Sequence, residues 1–113
     1  MGTFKEALYK LLGERIRKKR LELGYSQDYL AKGLGIGRAS ISNIEAGKHQ
    51  IPLSTLYQLS NKLNTEVHLI LPTFKEVIEK MNISEFSDIK SVLEKQLLKK
   101  KTISDIEDLI RNL

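Results

Sequence analysis

"GIGRASISNIEAGKHQIP", residues 35–52, is the stretch on which the reading of this chain turns. From Arg38 to Ala46 it has the spacing of a short helix with few apolar positions: Ala39, Ile41, Ile44 and Ala46. Arg38, Ser40, Ser42 and Asn43 stand between them, and Gly47 and Lys48 follow. Glu45 is the single acid in the stretch. The sequence therefore asks why a small protein should display a helix face of Arg, Ser and Asn.

Upstream, Ser26 is placed to cap a helix that carries Tyr29, Leu30 and Leu34 and stops in "GLGIG", residues 33–37. Two short helices joined by so few residues have the layout of a helix-turn-helix. In that layout the first helix crosses a DNA backbone and the second lies in the major groove. Ala31 is small enough for close approach of the two helices. Leu34, Ile36, Ile41 and Ile44 are the candidate core around the turn. Arg38, Ala39, Ser42 and Asn43 are left facing outward. A major groove suits them: Arg can grip guanine O6 and N7, Asn can grip adenine N6 and N7, and Ala can touch a thymine methyl.

At these residues the chain resembles the phage-repressor-like, Xre-type helix-turn-helix family. The resemblance covers about residues 12–72 and rests on "LGERIRKKRLELGYSQDYLAKGLGIGRASISNIEAGKHQIP". Its strongest pieces are "RLELGYSQDYLA" and "SISNIEAGK". It implies an all-α fold, a five-helix repressor-like head, and binding to double-stranded DNA. The implied function is a cytoplasmic, sequence-specific transcriptional repressor that holds an inverted-repeat operator as a homodimer. It also implies roles for single residues. Gln27 takes the place of a phosphate contact, Ser40 lies near the DNA backbone, and Lys48 and His49 clamp phosphates. Arg20 and Glu45 occupy positions that form a structural ion pair. The chain departs from the common pattern at Gly37, where Ser or Thr often caps the reading helix, and in "GKHQIP", which is one residue longer than in many relatives.

Helix signals continue to both ends. "TFKE" at 3–6 reads as a capping box before Leu8, Leu12, Ile16 and Leu23, and Gly24 closes that helix. Pro52 opens a fourth helix expected to bury Leu53, Leu56, Tyr57, Leu59, Ser60 and Leu63. Thr65 is the candidate cap of a fifth, "EVHLIL", for which a strand is the alternative. Pro72 sets the boundary between a head, residues 1–72, and a helical extension, residues 73–113. A second "TFKE" at 73–76 opens a helix to about Met81, and Ser84 or Ser87 is expected to cap another through Lys100. A last helix carries Ile103, Ile106, Ile110 and Leu113. The apolar stripes of this extension suit a dimer interface, a protein partner, or packing against the head; one alternative function is an antitoxin whose tail binds a toxin.

Composition narrows the classes. Residues 1–63 hold 11 Lys/Arg against 5 Asp/Glu, and residues 64–113 hold 8 against 9. A basic half of this kind attracts a polyanion, although solvated surface charge reads the same way. "RIRKKR" at 15–20 is read mainly as a solvated face. There are no cysteines, so disulfides and thiolate metal sites are excluded. His49 and His68 stand 19 residues apart without clustered acids, and no nucleophile, base and metal constellation exists. No enzyme, cofactor, metal or membrane association is expected. The four tyrosines, Tyr9, Tyr25, Tyr29 and Tyr57, are read as packing residues, because they do not interleave with basic residues.

Overall fold

The computed structural model describes residues 3–48, 50–99 and 110–112, with the backbone alone for 83–89 and 96–99. Every regular element among them is a helix: α1 (Phe4–Glu22), α2 (Gln27–Leu34), α3 (Arg38–Glu45), α4 (Leu53–Lys62), α5 (Val67–Ile70) and α6 (Phe74–Lys99). Gly2–Met81 forms one compact unit and the chain from Asn82 belongs to a second.

Local chemistry sets the helix ends. The Thr3 hydroxyl accepts from Glu6 N–H at 3.1 Å, and the Ser26 hydroxyl accepts from Tyr29 N–H at 3.0 Å. The second "TFKE" forms both halves of its box: Thr73 N–H donates to Glu76 Oε1 at 2.9 Å, and Glu76 N–H donates to Thr73 Oγ1 at 3.1 Å. α1 to α4 end alike, each followed by a left-handed residue, Gly24, Gly35, Gly47 and Asn64. The next N–H then reaches back to a carbonyl of the last turn, as Tyr25 does to Arg20 and Lys48 to Asn43. This is the Schellman closure, which turns the chain sharply while satisfying orphan carbonyls.

The core of the first unit is apolar and continuous. Ile16, Leu30, Ile41, Leu59 and Leu63 are fully buried, joined by Leu12, Ala31, Ile44, Leu56 and Ile70. Each fully buried Leu or Ile contributes about 1.5–3 kcal/mol by leaving water. Leu34 and Ile36 pack against this cluster from the turn.

Several expectations are corrected. Leu53 and Tyr57 are not on the buried side of α4 but 68% and 59% exposed, because they lie on the flank of the stripe formed by Leu56, Leu59, Ser60 and Leu63. Tyr29 is also exposed, its ring 4.7 Å from that of Tyr25. Residues 67–70 are helix, and Glu66 rather than Thr65 is the residue before its first turn. One continuous helix replaces the two expected from Phe74 to Lys100: with no Gly or Pro inside it, nothing obliges a break at Ser84 or Ser87. The first compact unit runs through Met81, and within it the first turns of α6 pack with α1. Val77 is fully buried, Phe74 stacks on Phe4 at 5.1 Å, Glu76 pairs with Arg15, and Lys80 Nζ lies 3.4 Å from Glu14. Ile103, Ile106, Leu113 and Lys100 lie outside the described residues.

Candidate DNA interface

α3 presents two unlike faces. Ile41, Ile44 and Glu45 are buried, while Arg38, Ala39 and Ser42 are exposed. Asn43 and Ser40 are half-buried at the two rims, and Lys48 is exposed just beyond the helix. The structure thus brings six of the eight candidate residues to α3 and the turn that follows it. His49 lies outside the described residues. Gly37 precedes the helix without a side-chain cap bond, and the first turn holds no acid.

Glu45 does not weaken this positive face, because it turns inward. Arg20 from α1 donates through Nε to Glu45 Oε2 at 2.6 Å and through a terminal nitrogen to Oε1 at 3.0 Å. The two side chains are 9% and 3% exposed. The remaining terminal nitrogen of Arg20 donates to the Tyr25 carbonyl at 2.8 Å, and Gln27 Nε2 donates to Glu45 Oε1 at 3.1 Å. The hydrogen bond to Glu45 raises the Arg20 pKa above its ordinary value against the opposing effect of burial. One carboxylate therefore ties together α1, the start of α2 and the end of α3. Gln27 is half-buried at the start of α2 and holds this knot through its amide nitrogen.

Of "RIRKKR", Ile16 and Arg20 point into the protein, Arg15 pairs with Glu76, and Arg17 and Lys18 are exposed. Among the described residues no helix is long and apolar enough to cross a membrane.

A helix-turn-helix family model matches residues 16–70. The ImmF control region 10 kDa protein of Bacillus phage phi105 is 33% identical over 70 residues, covering 62% of this chain and 78% of that protein. The chain belongs to the phage-repressor-like, Xre-type helix-turn-helix family. Another relative is the SPbeta prophage-derived HTH-type transcriptional regulator YonR of Bacillus subtilis, 41% identical over 61 residues. That match covers 54% of this chain, which spans 56% of YonR. Among solved structures, the restriction-modification controller protein C.AhdI from Aeromonas hydrophila superposes with a TM-score of 0.54 at 27% identity, over 56% of this chain and 96% of that one.

Within this Xre-type frame, sequence reasoning missed Gly13. It is buried in the middle of α1, where a glycine is otherwise unfavourable. Its signal was available: an isolated glycine inside a strong helical pattern usually has a packing reason.

Proposed function

We propose that this chain is a sequence-specific DNA-binding transcriptional regulator, a repressor that occupies an inverted-repeat operator as a homodimer with α3 in the major groove. The observation that carries this reading is the outward face of α3. Arg38, Ala39 and Ser42 are exposed with Asn43 at their rim, and the only acid of the helix is turned away into a buried pair. A B-form major groove, about 12 Å wide, admits a helix and offers distinct hydrogen-bonding edges to such side chains. Lys48 then meets a phosphate beside the groove. The basic half of the chain supplies the sequence-independent attraction on which all such recognition rests. Gln27 and Ser40 approach the phosphate backbone, and His49 joins Lys48.

The test is selection of bound duplexes from a random pool at about 150 mM salt, where non-specific binding is weak. The expected result is an enriched inverted repeat with half-sites about one helical turn apart. Weak, salt-sensitive binding with no preferred sequence would sink the reading.

A further inference from the structure

The C-terminal turn of α3 rests directly on the backbone of α1. A Cβ at Gly13 would stand 2.4 Å from the Ile44 carbonyl oxygen and 2.6 Å from that of Glu45, the last two residues of α3. Gly47, two residues beyond the helix, has φ +74°, and a Cβ there would stand 2.7 Å from Lys10 Cα and 2.9 Å from Lys10 N. Lys10 and Gly13 are three apart on α1 and so share one of its faces. No side chain lies between the two backbones at either point. The atoms that a Cβ would meet are main chain on both sides, so no flexible side chain can yield instead.

We infer that Gly13 and Gly47 are positioning residues that set the pose of α3 on α1, and through it the sequence discrimination of the reading face; the functional half of this rests on the DNA-binding reading above. Relieving the Gly13 clash requires a displacement of about 1 Å, from 2.4 Å to an ordinary contact. That displacement falls on one end of a helix about 12 Å long. Ile41, fully buried in the core, holds the helix nearer its other end, so α3 tilts rather than slides. Hydrogen bonds to base edges hold only across about 2.7–3.2 Å, so a tilt of this size removes them. Attraction to phosphates tolerates it, since it is long-ranged.

Gly13→Ala and Gly47→Asn test this, with Gly24→Asn and Gly33→Ala as controls. Asn tolerates the left-handed region, so Gly47→Asn isolates the steric push from the φ requirement. Gly24 has the same backbone sense with nothing within 4 Å, and the three atoms nearest a Cβ at Gly33 all belong to the flexible Lys62 side chain. The readouts are the ratio of affinities for selected and random duplex, and the amide chemical shifts of Arg38–Glu45. The expected result is a ratio reduced at least about tenfold in each test variant, with shifts along all of α3 and neither change in the controls. Partial unfolding lowers both affinities by one factor and leaves the ratio alone. A ratio within twofold of wild type in a folded variant would overturn the inference, as would shifts confined to the residues touching the new Cβ. Failure of both test variants to fold while Gly24→Asn folds would also overturn it, because the seat would then be a folding element only. A wild type that selects no sequence defeats the DNA-binding reading, and the shifts alone then decide the pose.

Discussion

Asn43 and Glu45 stand two positions apart on α3 and face opposite ways, one at the rim of the outward face and one buried. Their substitutions should therefore fail differently. On the proposed base-reading role, replacing Asn43 or Arg38 by Ala removes a bidentate partner for a base, worth about 1–3 kcal/mol of discrimination. Each should lower affinity for the selected duplex roughly five- to 150-fold, with a much smaller loss on random DNA, as titration of both duplexes would measure. Equal loss on both would remove Asn43 from base reading. Lys48→Ala should weaken both about equally and reduce the slope of log affinity against log salt by about 1. Glu45→Ala instead leaves the Arg20 guanidinium buried without its carboxylate, and denaturant unfolding should show a loss of about 3–5 kcal/mol. Gln27→Ala leaves that pair intact and should cost only about 1–2 kcal/mol. The residue types of α3 and their spacing were enough to place Arg38, Ala39 and Ser42 outward from the sequence, whereas Asn43, expected with them, is half-buried at the rim. The hydrogen bond from Gln27 to Glu45 was not legible, because it joins residues 18 apart whose meeting depends on the fold of both helices.

At the scale of the element, the caps were legible because a cap is a bond between residues three apart. Ser26 and both "TFKE" motifs needed nothing from tertiary structure. Burial was less legible. The apolar types at Leu53 and Tyr57 widened the expected face of α4, whereas only the fold decides how wide a stripe is covered. Continuity of α6 was illegible for a related reason: Ser favours caps, but it also tolerates a helix interior. The one uncapped start among the two helices of the motif gives a prediction. Gly37 has φ −76° and ψ 154°, open to any residue, and a Cβ there meets nothing within 4 Å. Gly37→Ser supplies an N-cap oxygen and restricts the unfolded chain, so thermal unfolding should show a gain of about 0.5–1 kcal/mol. The start of α6 gives a pH prediction. The Thr73 N–H, and then Arg15, hold the Glu76 carboxyl below the usual carboxylate range. A depressed carboxylate stabilises the folded state fully above its unfolded value, about 4.3, and that contribution is lost as pH falls through the lower folded value. Glu76→Gln should therefore flatten the acid limb of the stability profile below about pH 4 and leave its slope near neutrality unchanged. An identical acid limb in the variant would remove Glu76 from the linkage.

At the scale of the whole molecule, the inverted repeat proposed above needs two reading heads, and the described residues supply one. The residues beyond Asn82 are the place to look for what joins two copies. Among those described there, Leu93 alone is even partly buried, and Val92 and Ile110 are 56% and 59% exposed. An isolated helix is marginal in water unless an apolar face is covered. A second copy covers such a face by two-fold symmetry, the same surface serving on both chains. Charge favours the same division of labour. The basic excess sits in residues 1–63, so residues 64–113 can meet their copy without net repulsion. Sedimentation equilibrium at tens of micromolar should therefore give twice the 12.9 kDa chain mass. Val92→Glu should return it to the monomer while leaving the melt of the head unchanged, because Val92 is no part of that core. The same variant should lose about 10²- to 10⁴-fold of its affinity for a full inverted repeat, the advantage of binding both half-sites at once, and nothing for a single half-site. A wild type that stays monomeric at high micromolar concentration would end the dimer reading, and a Val92→Glu variant that stays dimeric would move the interface elsewhere on the chain.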